Sequence, residues 1–209
     1  MKLFTVGHSN HSIEAFLRLL QQHKVSALAD VRSHPYSRYL PHFSRDVLKV
    51  SLQEAGIAYV FLGRELGARP PDLSCYVNGK ALYEKIAATT EFQTGLERLQ
   101  RGAEQYNISL MCAEQDPITC HRAILICRHL QRKGLEIEHI LKDGTLESHD
   151  ALETRLLKLY KLDEGESKTI VQLSLFCPAS RAERLQNAYQ QQSSRIAYVD
   201  KTQQEDFNE

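Results

Sequence analysis

"ISLMCAEQDPITCHRAILICRHLQRKGLEIEHIL" (residues 108–141) carries in one run the pattern that sets the fold. It opens on "ISLMCA" (108–113), an apolar stretch of a length suited to a buried strand. A polar loop follows, then "CHRAILICRHLQRKG" (120–134), where Ile124, Cys127 and Leu130 share one helical face and Lys133 and Gly134 close the helix. "EIEHIL" (136–141) reads as a strand again. Strand, crossover helix and strand in succession make a right-handed unit with its two strands parallel.

Working outward, the same alternation extends to the start of the chain. "KLFTVG" (2–7), "ALADVR" (27–32) and "AYVFLG" (58–63) read as strands. "SIEAFLRLLQQHK" (12–24) is a helix with Ser12 as N-cap, and "SRDVLKVSLQEAG" (44–56) one with a Ser cap and a Gly stop. Helical segments are expected over 80–89 and 91–106. The fold class is therefore α/β, a mainly parallel sheet with helices on both faces in a three-layer, Rossmann-like arrangement. This domain spans 1–147, and 148–209 is a C-terminal extension. The extension opens with a helix, "SHDALETRLLKLYKL" (148–162), passes through a charged linker, "DEGESK", and ends in a polar stretch, 178–209, expected to be flexible or only partly ordered.

With 209 residues, 42% of them hydrophobic, the chain can bury a real core. Its 26 basic and 26 acidic residues cancel, so any nucleic-acid contact must be local rather than chain-wide. The opening residues are too briefly apolar for a signal peptide, and no run approaches a membrane span. Five cysteines at 75, 112, 120, 127 and 177 follow no disulfide framework, which suits reduced thiols in the cytoplasm.

Ligands of open parallel α/β sheets bind beyond the carboxyl ends of the strands. Those ends supply His8, then Asp30 and Arg32, then Gly63, Arg64 and Glu65, then Cys112, Glu114, Cys120, His121 and Arg122. Topology places them on one edge, as the wall of a polar pocket. Candidate catalytic residues are His8, Asp30, Cys112, Glu114 and His121, because imidazole, carboxylate and thiol can move protons or attack. Candidate substrate-binding residues are Arg32, Tyr36, Arg38, Arg64, Cys120 and Arg122, the arginines as anion binders. Each has a plainer reading: Asp30 with Arg32 as a structural ion pair, His8 as a turn cap, Cys112 as core, and Cys127 as packing.

Spacing excludes two chemistries. A thiol phosphatase needs five residues between its Cys and Arg, and neither cysteine here has that distance to Arg122. A zinc deaminase needs a Pro-Cys-x-x-Cys ligand pair that is missing. Cys112, Cys120 and His121 form a conceivable zinc set, but adjacent residues 120 and 121 project differently from a helix start and no second pair completes a tetrahedron. No metal and no cofactor are therefore expected.

"TVGHSNHSIEAF", "ALADVRSHPYSR", "FLGRELG" and "CAEQDPITCHR" resemble, in order and spacing, a bacterial family catalogued as domain of unknown function 488, over roughly residues 2–145. The resemblance implies an α/β domain and a shared polar site at His8, Asp30, Arg32, Pro35, Cys112, Glu114, Cys120, His121 and Arg122. It implies no reaction.

"RSHPYSRYLPHFSR" (32–45) combines three arginines, two histidines and three aromatic rings without an acid. That suits phosphates and stacked bases, unless the rings pack back on the domain. Farther on, Gln172-Leu173-Ser174-Leu175-Phe176 is similar at all five positions to the peptide by which bacterial polymerases and repair proteins dock on the DNA sliding clamp. In that resemblance Leu175 and Phe176 fill an apolar pocket while Gln172 hydrogen-bonds a neighbouring subsite; the plainer reading is a short edge strand. The sequence thus points to a nucleic-acid-processing protein, repair- or replication-associated, with nucleic acid or a nucleotide and the clamp as partners. A non-catalytic nucleic-acid adaptor and a small-molecule thiol or acid/base enzyme are the rivals.

Overall fold

The computed structural model describes residues 1–163 and 179–200. Along it run β1 (Lys2–Gly7), α1 (Ile13–Gln22), β2 (Ala27–Asp30), α2 (Arg45–Glu54), β3 (Ala58–Phe61) and the single-turn α3 (Gly63–Leu66). A hairpin of β4 (Tyr76–Val77) and β5 (Lys80–Ala81) comes next, then α4 (Tyr83–Ala87), α5 (Thr90–Ala103) and β6 (Ile108–Cys112). A π-helical stretch, Arg122–Cys127, runs into α6 (Arg128–Arg132). After it come β7 (Glu136–Ile140), β8 (Leu146–Ser148), α7 (His149–Leu159) and α8 (Arg181–Ile196).

The main sheet has the order β3-β2-β6-β1-β7-β8. All its pairings are parallel except β7 with β8. One face is covered by α1 and α2, whose Phe16, Leu20, Leu48 and Leu52 pack with Leu28 and Met111. The other buries Phe92, Leu96, Ile124 and Leu130 against Ala29 and Leu110. This is the expected three-layer α/β arrangement. β6 is buried at every position, and being covered on both faces accounts for an apolar run instead of an alternation.

Several local expectations give way. The expected helix over 80–89 is instead β5, the second strand of the hairpin, followed by the short α4. Asn78 and Gly79 both take left-handed backbone (φ 50 and 73), the Asn-Gly turn that matches strand twist. β8 is only three residues long, too short to announce itself by periodicity. Ser44 sits at the N-cap of α2, but its hydroxyl accepts from Ser37 N–H at 3.2 Å and not from the helix.

At the C-terminus, part of the tail expected to be flexible or only partly ordered forms α8. Ser180 and Glu183 make a reciprocal capping box. Leu185, Ala188 and Tyr189 join the same core as Leu110, together with Leu152 and Leu156 of α7. The described part of 148–209 is thus built into the domain. Just beyond α8, Ala81 N–H bonds to Tyr198 O and Asp200 N–H to Gly79 O, tying the chain to the hairpin. Residues 164–178, with the Gln172–Phe176 peptide and Cys177, lie outside the described residues. Among the described residues no helix is long and apolar enough to cross a membrane.

A buried polar chain links β1 to α8. Tyr189 donates to Glu153 at 3.1 Å and so accepts from His149 Nε2 at 3.0 Å. His149 Nδ1 then accepts from His139 Nε2 at 3.0 Å, and His139 Nδ1 accepts from the Thr5 hydroxyl at 2.8 Å. Both imidazoles are therefore neutral. Burial lowers His149 to about 4 and His139 well below its usual range, the neighbouring His149, Arg122 and Arg155 adding to the latter. As pH falls below about 6.5 the unfolded chain takes up these protons before the folded one, so stability present above 6.5 is lost toward 4. His149 alone then accounts for about 2 kcal/mol between pH 7.5 and 5. Urea midpoints at the two pH values measure this, and a His149→Phe variant should show a shallower slope. Identical wild-type and variant slopes would refute it.

Candidate functional site

β2, β6 and β1 are neighbours, and their carboxyl ends stop level: Gly7 pairs with Cys112 and Asp30 with Met111. Consequently His8, Arg32 and Cys112–Glu114 emerge side by side. His8 N–H and Ser9 N–H bond to the carbonyls of Cys112 and Ala113, both at 2.9 Å. Gly7 makes this closure possible, because a Cβ there would sit 1.9 Å from the Glu114 carbonyl oxygen.

Asp30 is fully buried and takes a bidentate grip on Arg32, Nε to Oδ1 at 2.9 Å and the Nη2 amine to Oδ2 at 2.7 Å. Tyr59 donates a further hydrogen bond to Oδ2 at 2.8 Å. The carboxylate thus fixes the guanidinium, and Asp30 acts as a holder and not as a proton carrier in contact with the cleft. Arg32 donates its Nη1–H to His8 Nε2 at 3.2 Å, while His8 Nδ1–H donates to Ser9 O at 2.9 Å. His8 also stacks on Phe43, centroids 4.3 Å apart. Burial first and the Arg32 charge second lower His8 to about 4, so it is a neutral acceptor at ordinary pH. Of the five guanidinium N–H groups, the second Nη1–H has no partner among the described residues and Arg32 lines the cleft.

Bordering the same cleft is a compact cluster. His121 Nδ1 is 3.6 Å from Cys112 Sγ and 3.8 Å from Cys120 Sγ, and Cys120 Sγ is 3.0 Å from Glu114 Oε2. His121 Nε2 bonds to the Val31 carbonyl at 3.0 Å, which leaves Nδ1 facing the sulfurs. The expectation that residues 120 and 121 diverge is corrected here. Cys120 is extended (φ −128, ψ 141) at the end of the turn Pro117–Thr119, and only His121 is helical. The backbone bend swings both side chains to Cys112. The absence of a metal-ligand set inferred from spacing therefore fails: Cys112, Glu114, Cys120 and His121 bring four ligand atoms within 4.8 Å of one another.

The two thiols are unlike. A hydrogen bond to Cys120 and burial raise Cys112 well above the usual thiol range. Burial opposes ionisation of Cys120, but the bond from Cys112, the Arg122 charge and His121 outweigh it and hold Cys120 well below that range. Cys112, singled out in the sequence, is the less acidic one.

Arg122 is not an anion binder. It is fully buried, and its guanidinium donates to the Glu114 and Gln115 carbonyls at 2.7 and 3.1 Å and to Thr5 Oγ1 at 3.3 Å. The residue staples the loop that carries Glu114. Arg64 is exposed and faces an adjoining hollow beside Pro70 and Glu91 that shares Ser33, His34 and Arg69 with the cleft, and Arg38 is exposed on the loop without lining the cleft. Tyr36 does line it, 73% exposed. Elsewhere in that loop, Phe43 is core and Arg45 stacks on Phe61 at 4.8 Å.

The cleft has a volume of about 360 Å³. It also takes in residues the sequence reading missed: Arg69, Tyr83 and Tyr198. Arg69 lies 4.3 Å over the Tyr198 ring. Arg69 follows the third strand closely enough to have been counted with Arg64, whereas nothing local marks Tyr198, which arrives from the far end of the chain.

Fold and cleft together define an α/β protein with a thiol, imidazole and carboxylate cluster at the carboxyl edge of its sheet, facing a fixed arginine. The chain belongs to the family described as Domain of unknown function DUF488, whose profile matches residues 12–128, more than half of it. The match takes in the whole cluster and Asp30 and Arg32, while β1 and His8 precede it. No curated protein matches the chain. A solved structure named as a phosphatase candidate of family DUF442, from Shewanella putrefaciens CN-32, is similar over 94% of this chain and 89% of its own. Its identity is 12% and its TM-score 0.35, a likeness too remote to speak for fold or activity.

Proposed function

We propose that the cleft binds the phosphate and base of a single-stranded or flipped-out nucleic acid, or of a nucleotide, and acts on it. The protein is then a nucleic-acid-processing enzyme of the repair or replication-associated kind. What carries this reading is the composition of one cleft: guanidinium groups at Arg32 and Arg69 and the rings of Tyr36 and Tyr198, together with Glu114 and His121. Arginine neutralises phosphate, and aromatic faces accept bases without regard to sequence. Neutral net charge is compatible with it, because the contact is local: Arg32 and Arg69 stand in one cleft.

Binding of a labelled single-stranded oligonucleotide, followed by anisotropy over a salt series, tests the proposal. Arg69→Ala should weaken affinity about tenfold and make the salt slope shallower by about one ion. An oligonucleotide that does not bind, or binds equally to wild type and variant, removes the reading.

The Gln172–Phe176 peptide supports recruitment to the sliding clamp, where tethering raises local concentration without new cleft contacts. A pull-down with purified clamp should retain the wild type and lose the Leu175→Ala/Phe176→Ala variant. Equal retention of both, or of neither, removes the docking.

A further inference from the structure

We propose that Cys112, Cys120 and His121 hold a zinc-type divalent cation, with Glu114 as a fourth, exchangeable ligand on the cleft side. The geometry is the first argument. Tetrahedral zinc with Zn–S about 2.3 Å and Zn–N about 2.05 Å has S···N edges of about 3.6 Å. The two S···N separations here are 3.6 and 3.8 Å, and all four donor atoms fall within 4.8 Å of one another.

The second argument is the surrounding support. A metal-binding imidazole is oriented by what its other nitrogen does. His121 gives Nε2–H to the Val31 carbonyl at 3.0 Å, so the Nδ1 lone pair is aimed between two sulfurs. Backbone N–H of Arg122 points at Cys120 Sγ at 3.4 Å, and the Arg122 side chain fixes the carbonyl of Glu114 itself. Charge is also matched. Two thiolates and a carboxylate around a dication leave one net negative charge, and the buried Arg122 guanidinium beside them offsets it.

Donor chemistry selects the ion. Thiolate and imidazole favour zinc over magnesium or calcium, which prefer all-oxygen sets. Cys112, Cys120 and His121 are 4%, 1% and 7% exposed, whereas Glu114 stands at the cleft. Three inward ligands with a replaceable fourth are the arrangement of catalytic rather than structural zinc. In that position the ion borders the same cleft as Arg32, where it would polarise a phosphate oxygen or acidify a water. This part of the inference rests on the proposed function; the presence of the ion does not.

The test uses the full chain, kept reduced and stripped of metal, titrated with Co²⁺ and then Zn²⁺. One equivalent of cobalt should give thiolate charge-transfer absorption in the near ultraviolet and strong tetrahedral visible bands, both bleached by zinc. Cys112→Ser and Cys120→Ser should each weaken binding more than about 100-fold, beyond the usual loss of an outer-shell partner. Cys127→Ser, buried outside the cluster, should bind as the wild type does. Glu114→Gln should keep the charge-transfer band and shift the visible ones, as water replaces the carboxylate. Failure of the folded wild type to take up one equivalent overturns the proposal whether or not any variant folds, and so does uptake unaffected by both cysteine changes. Oligonucleotide binding measured on the same samples separates the two readings: cobalt uptake without oligonucleotide binding sinks the nucleic-acid function alone, and the reverse sinks the metal alone.

Discussion

Asp30→Asn should lower the unfolding free energy by about 4 kcal/mol, the range for breaking a buried ion pair from one side. Asp30 has no exposed surface and Arg32 has 6%, so the orphaned guanidinium cannot turn to water without dismantling the loop behind it. It would keep bonds to His8 and the Phe43 carbonyl, neither of which carries charge to balance it. The amide would also present donors to the donors of Arg32 and compete for the Tyr59 hydroxyl. Urea unfolding at neutral pH measures the loss. The double variant Asp30→Leu/Arg32→Met, which removes both charges, should lose clearly less. A single-variant loss below about 1 kcal/mol would show that the pair is effectively solvated and that Arg32 is not fixed by it.

Glu114→Gln should leave folding and oligonucleotide affinity near those of the wild type while turnover falls about 1,000-fold, within the span of general acid–base contributions. Glu114 reaches Cys120 through one carboxylate oxygen and lines the cleft with Arg32 and His121. Its backbone, not its side chain, is what Arg122 holds, so the isosteric amide preserves the loop. Product formation from a labelled single strand, followed by mass, reports the change. Full turnover by the variant would exclude Glu114 from the chemistry. Tight binding by the wild type without any product would favour the non-catalytic adaptor.

Much of the site was legible because topology does the gathering. Once strands alternate with crossover helices, their carboxyl ends share an edge, and His8, Arg32, Cys112 and Glu114 follow from their places in the chain. Arg122 was legible as a member but not as a role. A guanidinium in a first helical turn looks like an anion binder until its donors are seen spent on the Glu114 and Gln115 carbonyls. Arg64 lines the adjoining hollow and not the cleft itself, since it sits in α3, which begins at Gly63 just past the strand end.

The sequence by itself determined the layered arrangement, the edge on which polar groups collect, and the cap at Ser12, because periodicity and capping act over a few residues. Only the tertiary structure decided that Cys120 and His121 converge on Cys112, that α8 closes the core, and that Tyr198 reaches the cleft. Those outcomes depend on one extended residue between a turn and a helix and on packing between segments distant in the chain, Tyr198 against Arg69 among them. A local pattern holds no record of either, since backbone direction at a junction and burial against a distant surface are set by the folded chain as a whole.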